Sequence, residues 1–534
     1  MTRDPKPSWN TGHRLAGAHA EPVEPVEPIG SPPPGDGNDY TLLQQARDRF
    51  ARDGTPPNLP VSVLLPVYNR MQMLAKTLAG LTHQSYPAEL IEVVVADDGS
   101  QDDVRSVIDK YSRYFEIQHV YQEDRGYRLS AVRNRGIRAA RHDHLILLDC
   151  DMIPTPELVS AFMQYLHVTD RALLIGHRRF VCADGITDDD IRRDISVAID
   201  LPDIITKNRH FELKRDPTKD WRLRVYASSN MLRTHVFPFG VSSGCNLAYA
   251  RRLYEAAGPY CEEFRHWGGE DMEWAYRVYA TGAYFIPVPE AVALHQEPPG
   301  GVNETDRVAG ERHTQPLLED RCPLKYRDPT STRRYCVPKV SVVLRADHDA
   351  RYLRSMIEGI VERQQLRDLE LLVFHDESSS EVLGAVELAY RDDPRVRWIR
   401  TDDRPEGAAT ISACRGAYVV LVGPRDELLP HALDTLARYL DTHNVGLVHG
   451  SCALADINEC PGGSAGPRRL SMFRRRDWLR AGEQREGLAV SDDAALYTAL
   501  RSVCSVHQIP EVLAVTRSDP PSVESSAVSL LPGP

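Results

Sequence analysis

Two carboxylates separated by one residue, Asp149 and Asp151, follow the apolar run LILL at 145–148. Burial of a carboxylate is costly without a partner, so we expect the pair at a rim that a cation can reach. Oxygen ligands favour Mg²⁺ or Mn²⁺ over Zn²⁺, and Mg²⁺ is commonly held by one or two carboxylates together with substrate phosphates. The spacing therefore predicts a divalent metal that bridges a diphosphate. The alternative is that Asp151 caps a helix beginning near Pro154, because this pattern is also common by chance.

A second acidic pair, Glu270 and Asp271, follows two glycines and is predicted to open a helix that ends near Gly282. Acidic residues in a first helical turn interact favourably with the helix dipole, which is one interpretation. Trp267, just before the glycines, offers a flat apolar face suited to a sugar ring, which favours a binding site. His295 follows a short apolar strand, where a lone histidine is more often structural than a ligand.

Three apolar runs between residues 61 and 151 alternate with helical patterns. This alternation predicts an α/β fold with a mainly parallel sheet, in which the first run is broken at Pro66. In such sheets the ligand crevice lies outside the carboxyl ends of the strands. Solvated turns explain a single polar strand end equally well, but three coincident ends favour a site. The polar residues at these ends are Tyr68, Asn69, Asp97, Asp98, Asp149 and Asp151.

The composition restricts the class of protein. A chain of 534 residues with 42% hydrophobic content is expected to form two or three globular domains. The formal net charge of −12 argues against nucleic acid as a partner. We find no apolar run long enough to span a bilayer and no signal-peptide pattern at the N-terminus. The ten scattered cysteines fit reduced thiols, so we expect a cytoplasmic protein.

Five segments occur in a fixed order within about residues 40–330: DDGS, GYRLSAVRNRGIRAA, LLDCDMIP, HWGGEDMEWAYR and HQEPPGGVNETDR. In this order they resemble the N-terminal, hexosamine-transferring domain of the two-domain bacterial chondroitin and hyaluronan synthases. These are family 2 glycosyltransferases with the GT-A fold. DDGS alone indicates only family 2, whereas HWGGED together with HQEPPG is far more specific. The resemblance implies a UDP-sugar donor, Mn²⁺ or Mg²⁺, and inversion at the anomeric carbon.

The resemblance also implies roles for individual residues. Asp271 occupies the position of the catalytic base, and Glu270 and Trp267 would contact the sugar or the acceptor. In an inverting transfer the base and the metal belong on opposite sides of the sugar. The implied metal ligands are Asp149, Asp151 and His295, of which Asp151 is the more direct. The implied donor-binding residues are Pro66, Tyr68, Asn69, Arg70, Asp97, Asp98, Tyr127, Arg133, Asn134 and Asp149, with Trp267 beside the sugar.

The second half of the chain repeats the strand and helix pattern of the first. The segments at 338–364, 369–379 and 415–430 parallel those around the first three strands, which predicts a second GT-A-like domain. The polar strand ends differ, so we interpret this domain as degenerate. Replacement of the metal's charge by Arg425 is the alternative, which keeps a metal-independent second site open. The positions that differ or remain are Arg345, Asp347, His348, His375, Gly423, Pro424, Arg425, Asp426, Asp492 and Asp493.

The predicted organisation is a disordered Pro/Glu-rich tail, a GT-A domain, a polar linker, a degenerate GT-A-like domain and a disordered end. The predicted function is inverting, metal-dependent transfer of an N-acetylhexosamine from a UDP-sugar to an oligosaccharide or other glycan. The alternatives are a two-sugar synthase that uses both domains, and a second half that is a glycan-binding scaffold. A basic run at 468–480 is a candidate contact for a glycan or the inner membrane surface, or else a solvated helix face. The predicted boundaries are 1–39, 40–317, 318–338, 339–520 and 521–534.

Overall fold

The structure is a computed structural model, and it describes most of the chain between residues 37 and 516. Residues 1–36 of the predicted tail at 1–39 lie outside the described residues, as does the predicted end at 521–534. So do Asp347, His348, Pro424 and Asp492. The described residues are 37–54, 56–204, 220–242, 244, 246–297, 307–328, 331, 333–346, 352–375, 381–400, 407–423, 425–454, 469–481 and 493–516.

The first domain is built around an eight-stranded sheet. Its strands are β1 (Val61–Val67), β2 (Ile91–Asp97), β3 (Glu116–Tyr121), β4 (His144–Leu147), β5 (Met152–Pro154), β6 (Ala172–Val181), β7 (Leu247–Ala250) and β8 (Tyr284–Gln296). Their order across the sheet is β3-β2-β1-β4-β7-β6-β8-β5. The sheet is parallel over β3-β2-β1-β4, as expected. Beyond β4 it is mixed, because β7 and β5 run antiparallel to their neighbours.

Strand β1 is not broken at Pro66, in contrast to the sequence interpretation. All seven of its residues are buried, and Pro66 pairs with Ala96 of β2. Pro66 occupies the penultimate position of the strand, where the missing N–H removes at most one ladder hydrogen bond. The apolar runs of β1 and β2 are therefore covered on both faces, as is usual for parallel strands flanked by helices.

Helices pack on both faces of this sheet and connect its strands. In the part of the chain that the structure describes, no helix is long and apolar enough to cross a membrane. The helices of the first domain are α1 (Thr41–Arg52), α2 (Met71–Leu81), α3 (Val104–Tyr111), α4 (Leu129–Ala139), α5 (Leu158–Leu166), α6 (Asp188–Arg193), α7 (Ser196–Ile199), α8 (Arg222–Ser228), α9 (Arg251–Ala257), α10 (Glu270–Ala280) and α11 (Arg307–Arg321).

The second domain repeats the first. Its strands are β9 (Val340–Arg345), β10 (Leu369–His375), β11 (Val396–Arg400), β12 (Tyr418–Val422), β13 (Asp426–Leu428), β14 (Leu447–Leu454), β15 (Arg469–Arg474) and β16 (Val506–Thr516). Its helices are α12 (Leu353–Val361), α13 (Glu381–Tyr390), α14 (Gly407–Ala413), α15 (Ala432–Thr442), α16 (Arg475–Arg480) and α17 (Asp493–Arg501). The order β11-β10-β9-β12-β15-β14-β16-β13 reproduces the first sheet strand by strand, with the same parallel and antiparallel pairs.

Both sheets contain the same buried carboxylate on their second strand. Glu92 on β2 accepts hydrogen bonds from the backbone and the side chain of Arg141. Glu370 on β10 accepts the same two bonds from Arg415. A serine hydroxyl on the neighbouring strand also donates to the carboxylate in each domain. This shared polar detail, together with the strand order, indicates an internal duplication of the whole domain.

The predicted domain boundaries differ from the structure on both sides of the first domain. Asn38, predicted to belong to a tail, is fully buried and donates hydrogen bonds to the carbonyls of Leu232 and Phe285. The predicted linker at 318–338 begins within α11, and Cys322 and Leu324 are buried in the core. The first domain therefore includes residues on each side of the predicted 40–317.

The described part of the basic run, residues 469–480, is not a solvated helix face, because most side chains of its helix α16 are buried. Arg474, Arg476 and Arg480 are each about 3% exposed. Their guanidinium groups donate hydrogen bonds to the first domain, for example from Arg480 to the carbonyl of Gly282 at 2.8 Å. The run therefore forms part of the contact between the two domains.

Candidate active site

The first candidate cluster forms where β4 ends and β5 pairs with β8. Asp149 and Asp151 follow β4, as predicted, and Met152 pairs with His295 of β8. The backbone carbonyl of Asp151 also accepts a hydrogen bond from Gln296 at 2.9 Å. This antiparallel register brings Asp151 and His295 together although they are far apart in sequence.

Side-chain distances define one half of the site around Asp151. Arg70, at the start of α2, donates to Asp151 Oδ2 at 2.5 Å. His295 Nε2 lies 3.8 Å from Asp151 Oδ1, and His295 Nδ1 lies 3.2 Å from Glu297 Oε1. Glu297 belongs to the HQEPPG segment but was given no role by sequence reasoning. Its position behind the imidazole matches the carboxylate that commonly orients a metal-binding histidine.

Arg133 organises the other half of the site. Its guanidinium is about 1% exposed and lies among three carboxylates. It donates to Asp271 Oδ1 at 2.7 Å and to Glu270 Oε1 at 3.3 Å. Its other terminal nitrogen lies 3.5 Å from Asp149 Oδ1. Arg133 therefore lies between the Asp-x-Asp pair and the acidic pair of α10, and it contacts both.

This crowding of charge changes the protonation equilibria in the cluster. Burial and the neighbouring Asp271 raise the pKa of Glu270 to about 8, although Arg133 opposes the shift. Burial also raises the pKa of Asp149. Tyr127 faces the same group, and burial with the nearby Glu270 holds its pKa well above the ordinary value. Three acids around one guanidinium exceed the charge that it can balance, so Glu270 is the group that retains a proton near neutral pH.

Glycines shape the space around Asp271. Gly268 and Gly269 have φ angles of 102° and 92°, which L side chains rarely adopt, and they form the turn that begins α10. Gly244 is a further residue that sequence reasoning missed. A Cβ atom on Gly244 would lie 2.8 Å from Asp271 Oδ2, so glycine keeps that oxygen accessible. None of the five sequence segments contains Gly244, and its contact with Asp271 joins residues that are far apart in sequence.

The carboxyl ends of β1 and β2 form a second part of the crevice. Tyr68 is 45% exposed, and its hydroxyl donates to Asp124 at 3.1 Å. Asn69 has a φ of 49° and accepts a hydrogen bond from the backbone of Gln101. The adjacent Pro66 belongs to the buried strand. These residues stand at the strand end where sequence reasoning expected the nucleotide.

Asp97 and Asp98 are buried at the floor of this region. Asp97 accepts hydrogen bonds from the backbone of Ser100 and from His119; these bonds lower its pKa even though burial opposes the shift. Burial raises the pKa of Asp98, whose carboxylate accepts hydrogen bonds from Gln122 and from the backbone of residue 128. These hydrogen bonds therefore fix the orientation of both carboxylates, whose oxygen atoms can accept hydrogen bonds from a ligand.

Asn134 does not face the crevice, which corrects its expected contact with the donor. Its amide nitrogen donates to the carbonyl of Tyr260 and to Glu262. Its oxygen accepts from the backbone of Tyr260 and from the hydroxyl of Tyr254. These four bonds use its amide, so Asn134 anchors α4 to the segment before α10. Trp267 is half-buried on that segment, and its backbone packs closely against Gly310 of α11.

The residues near Asp151 fit a divalent cation that is shared with a ligand. Among the described residues, no three His, Cys, Asp or Glu side chains converge closely enough to hold a metal without help. However, Oδ1 of Asp149 and Oδ1 of Asp151 are buried oxygens with no hydrogen-bond partner in the described part of the chain. Two carboxylate oxygens completed by phosphate oxygens are a usual environment for Mg²⁺.

The second domain lacks these acidic groups at the corresponding positions. Strand pairing aligns His144 with Tyr418, because each pairs with the first residue of the neighbouring strand. Asp149 and Asp151 then correspond to Gly423 and Arg425. The partner of β13 at the position of His295 is Thr516. The fold is thus duplicated, but the side chains of the first candidate cluster are not.

Comparison with known proteins gives the family of the first domain. Residues 62–237 match the family model described as glycosyl transferase family 2. The chondroitin synthase of Escherichia coli is 35% identical to this chain over 446 residues. The region that this model matches is a family 2 glycosyltransferase domain. The 446-residue alignment is longer than the first domain, so it extends into the second. Two GT-A-like domains in series describe its fold.

Three synthases among the relatives of this glycosyltransferase are longer than the chain, which spans only part of their length. The alignment with the E. coli chondroitin synthase covers 79% of the chain and 64% of that protein. A chondroitin synthase of Pasteurella multocida strain Pm70 is 32% identical over 80% of the chain and 46% of its own length. A hyaluronan synthase of Pasteurella multocida is 33% identical over 77% of the chain and 43% of its own length.

Proposed function

We propose that this glycosyltransferase moves an N-acetylhexosamine from a UDP-sugar to a carbohydrate acceptor, with inversion and with the help of Mn²⁺ or Mg²⁺. The observation that carries this proposal is the position of Arg133 between two acidic groups of different kinds. Asp149 and Asp151 lie on one side of it, beside His295, and Glu270 and Asp271 lie on the other. This division matches the opposite faces of a sugar in an inverting displacement.

In the proposed reaction, an acceptor hydroxyl attacks the anomeric carbon on the face opposite UDP. Asp271 Oδ2 accepts the hydroxyl proton, and the bond between the anomeric carbon and the phosphate oxygen breaks with its electron pair on UDP. Arg133 holds Oδ1 of the same carboxylate at 2.7 Å, which orients Oδ2 towards the space left by Gly244. Such a positioned base contributes about 10²- to 10⁴-fold in rate.

The diphosphate is proposed to lie against Asp149, Asp151 and His295. A divalent cation held there supplies positive charge that stabilises the leaving diphosphate. Glu297 orients the imidazole of His295 from behind. Arg70, which contacts Asp151 at 2.5 Å, is placed to donate to the phosphates as well. On the nucleotide side, Tyr68, Asp97 and Asp98 are proposed to contact the uridine.

Two variants separate the proposed roles. We expect Asp151→Asn to abolish transfer and to weaken Mn²⁺-dependent UDP binding, because the cation loses a ligand. We expect Asp271→Asn to lower turnover by about 10²- to 10⁴-fold while UDP affinity stays within about threefold. The measurements are initial rates with UDP-GlcNAc or UDP-GalNAc and a glycan acceptor, and calorimetric titration with UDP and Mn²⁺. Wild-type transfer that survives exhaustive chelation would contradict the metal role.

A two-sugar synthase is the second candidate, favoured by similarity to chondroitin and hyaluronan synthases along both domains. The substitution of Gly423 and Arg425 for the acidic pair speaks against metal-dependent transfer in the second domain. Incubation of the Asp271→Asn protein with UDP-glucuronic acid and a hexosamine-ended oligosaccharide decides between the two. Addition of one uronic acid would support the second candidate.

A further inference from the structure

Three arginines of the second domain donate hydrogen bonds to the turn between α10 and β8 of the first domain. We call Arg474, Arg476 and Arg480 the arginine clamp. Arg474 donates to the hydroxyl of Tyr279 at 3.1 Å, and Arg476 donates to the carbonyl of residue 283 at 3.1 Å. Arg480 donates to the carbonyl of Gly282 at 2.8 Å. The three side chains together cover the turn between α10 and β8.

Stacking and close packing reinforce these hydrogen bonds. The Arg476 guanidinium lies 3.9 Å from the ring centroid of Tyr279. The Arg480 guanidinium lies 4.0 Å from the ring centroid of Tyr284. Gly282 has a φ of 91°, and a Cβ atom there would lie 2.9 Å from Arg480 Cγ. The contact is therefore close enough to require a glycine.

The arginine clamp is itself fixed within the second domain. Arg474 donates to the carbonyls of Val445 at 2.8 Å and Leu440 at 2.5 Å. Asp477 is fully buried between the other two arginines, 3.8 Å from Arg476 and 3.6 Å from Arg480. One carboxylate cannot neutralise both guanidinium groups. The remaining positive charge faces the carboxyl end of α10, where helix carbonyls carry partial negative charge.

The gripped turn joins two elements that carry site residues at their far ends. Strand β8, which ends near His295, is held along its length by pairing with β6 and β5. Helix α10 has no such pairing, and Glu270 and Asp271 stand about 16 Å away, at its other end. Because a helix is stiff over this distance, its clamped end affects where its first turn points. Trp274 packs the middle of α10 on the first-domain core.

We propose that the arginine clamp positions α10, so that base catalysis by Asp271 in the first domain depends on the second domain. This inference rests on the proposed function. Under this inference Arg476 and Arg480 are positioning residues. The second domain then supports catalysis in the first domain without binding a sugar nucleotide itself. The metal side of the site lies at the far end of β8, which pairing with β6 and β5 holds in place, so we expect it to respond less to the clamp than Asp271 does.

The test compares full-length wild type with the double variant Arg476→Met and Arg480→Met. We expect kcat to fall at least tenfold, because Asp271 is no longer aligned, while the KM for donor and the Kd for UDP stay within about threefold. Hydrogen exchange of the amides at 270–280 is expected to accelerate at least tenfold. The matched control is Arg415→Met, which loses an ion pair within the second domain. Its kcat and its exchange at 270–280 are expected within twofold of wild type.

Each outcome has a defined meaning. A folded double variant with wild-type kcat and wild-type exchange at 270–280 contradicts the inference, and so does an equal loss in Arg415→Met. Absence of transfer by the wild type contradicts the proposed function, while the exchange measurement still tests the clamp. If the double variant fails to fold, Tyr279→Phe replaces it, because this change removes only the hydroxyl that accepts from Arg474. We then expect a two- to fivefold fall in kcat, and no change contradicts the inference.

Discussion

Glu270 is a carboxyl group enclosed by the protein, with Asp271 beside it, and Arg133 contacts both carboxyl groups. Its Oε2 atom is buried and has no hydrogen-bond partner among the described residues. Burial raises its pKa to about 8, so the neutral acid is the form present at physiological pH. A neutral Glu270 leaves Arg133 free to balance Asp271 and Asp149. The two members of the acidic pair therefore have different roles, although they are adjacent and chemically similar.

The shift makes a prediction about stability. A carboxyl whose pKa rises on folding stabilises the folded state at low pH, and this contribution is lost as pH rises through the folded pKa. Between pH 5 and pH 8 we therefore expect the free energy of unfolding to fall in wild type relative to Glu270→Gln, by up to about 1.4 kcal/mol per pH unit. Denaturant unfolding at several pH values measures it.

Glu290→Gln is the control for this prediction. It removes a half-exposed carboxylate of the same domain, and we expect it to follow wild type at every pH. An unchanged difference between Glu270→Gln and wild type from pH 5 to pH 8 would show that Glu270 is ionised throughout.

At the scale of single elements, the ends of α10 have separate tasks. Its first turn follows Gly268 and Gly269 and presents the acidic pair to Arg133. Its last turn leads into Gly282, which the second domain covers. The helix thus connects the site to the domain contact without an intervening loop. Its central residue Trp274 is fully buried and stacks on Tyr260, and this packing restricts movement of the helix perpendicular to its axis.

Gly282→Ala tests this tight contact. Alanine in the left-handed region costs about 1–2 kcal/mol, and its methyl group would also displace Arg480. The control is Gly54→Ala, because Gly54 has a φ of 63° with no atom within 4 Å of the added Cβ. We expect Gly282→Ala to lower the melting temperature clearly more than Gly54→Ala, and Arg480→Ala to reduce the difference. Equal losses at the two glycines would mean that the domains separate easily at this turn.

At the scale of the whole molecule, the duplicated fold separates architecture from chemistry. Both sheets keep the same strand order and the same buried glutamate on the second strand. The position of Asp151, in contrast, is taken by Arg425, which repels a cation. Asp426 is the acidic residue that remains. It stabilises the turn at the start of β13, because it accepts hydrogen bonds from Gly423 and Thr516.

We therefore expect Asp426→Ala to leave hexosamine transfer within about threefold of wild type, because Asp426 accepts its hydrogen bonds from residues of the second domain. Initial rates of transfer measure the effect, and the comparison is Asp151→Asn under the same conditions. A loss as severe as that of Asp151→Asn would show that the two domains share a catalytic step. Such a result would support the second candidate function, a two-sugar synthase.

The duplicated α/β fold and the strand-end carboxylates Asp149 and Asp151 were predictable from the sequence, since both depend on local pattern. Alternating apolar runs define parallel strands, and side chains just after them meet at one edge of the sheet. Successive residues on a helix point in different directions, however, and a sequence does not state which direction is buried. Thus Arg133 meets three carboxylates, whereas its neighbour Asn134 turns to the backbone of Tyr260.

The same reason explains the basic run. Arginines in series on a short helix indicate solvent or an anionic partner when their surroundings are unknown. In the folded chain, Arg476 and Arg480 find carbonyls and aromatic rings nearly 200 residues away, on a turn of the other domain. Local sequence therefore determined which elements form and where the carboxylates stand. Tertiary structure alone decided which charges are buried together, because that depends on partners distant in the chain.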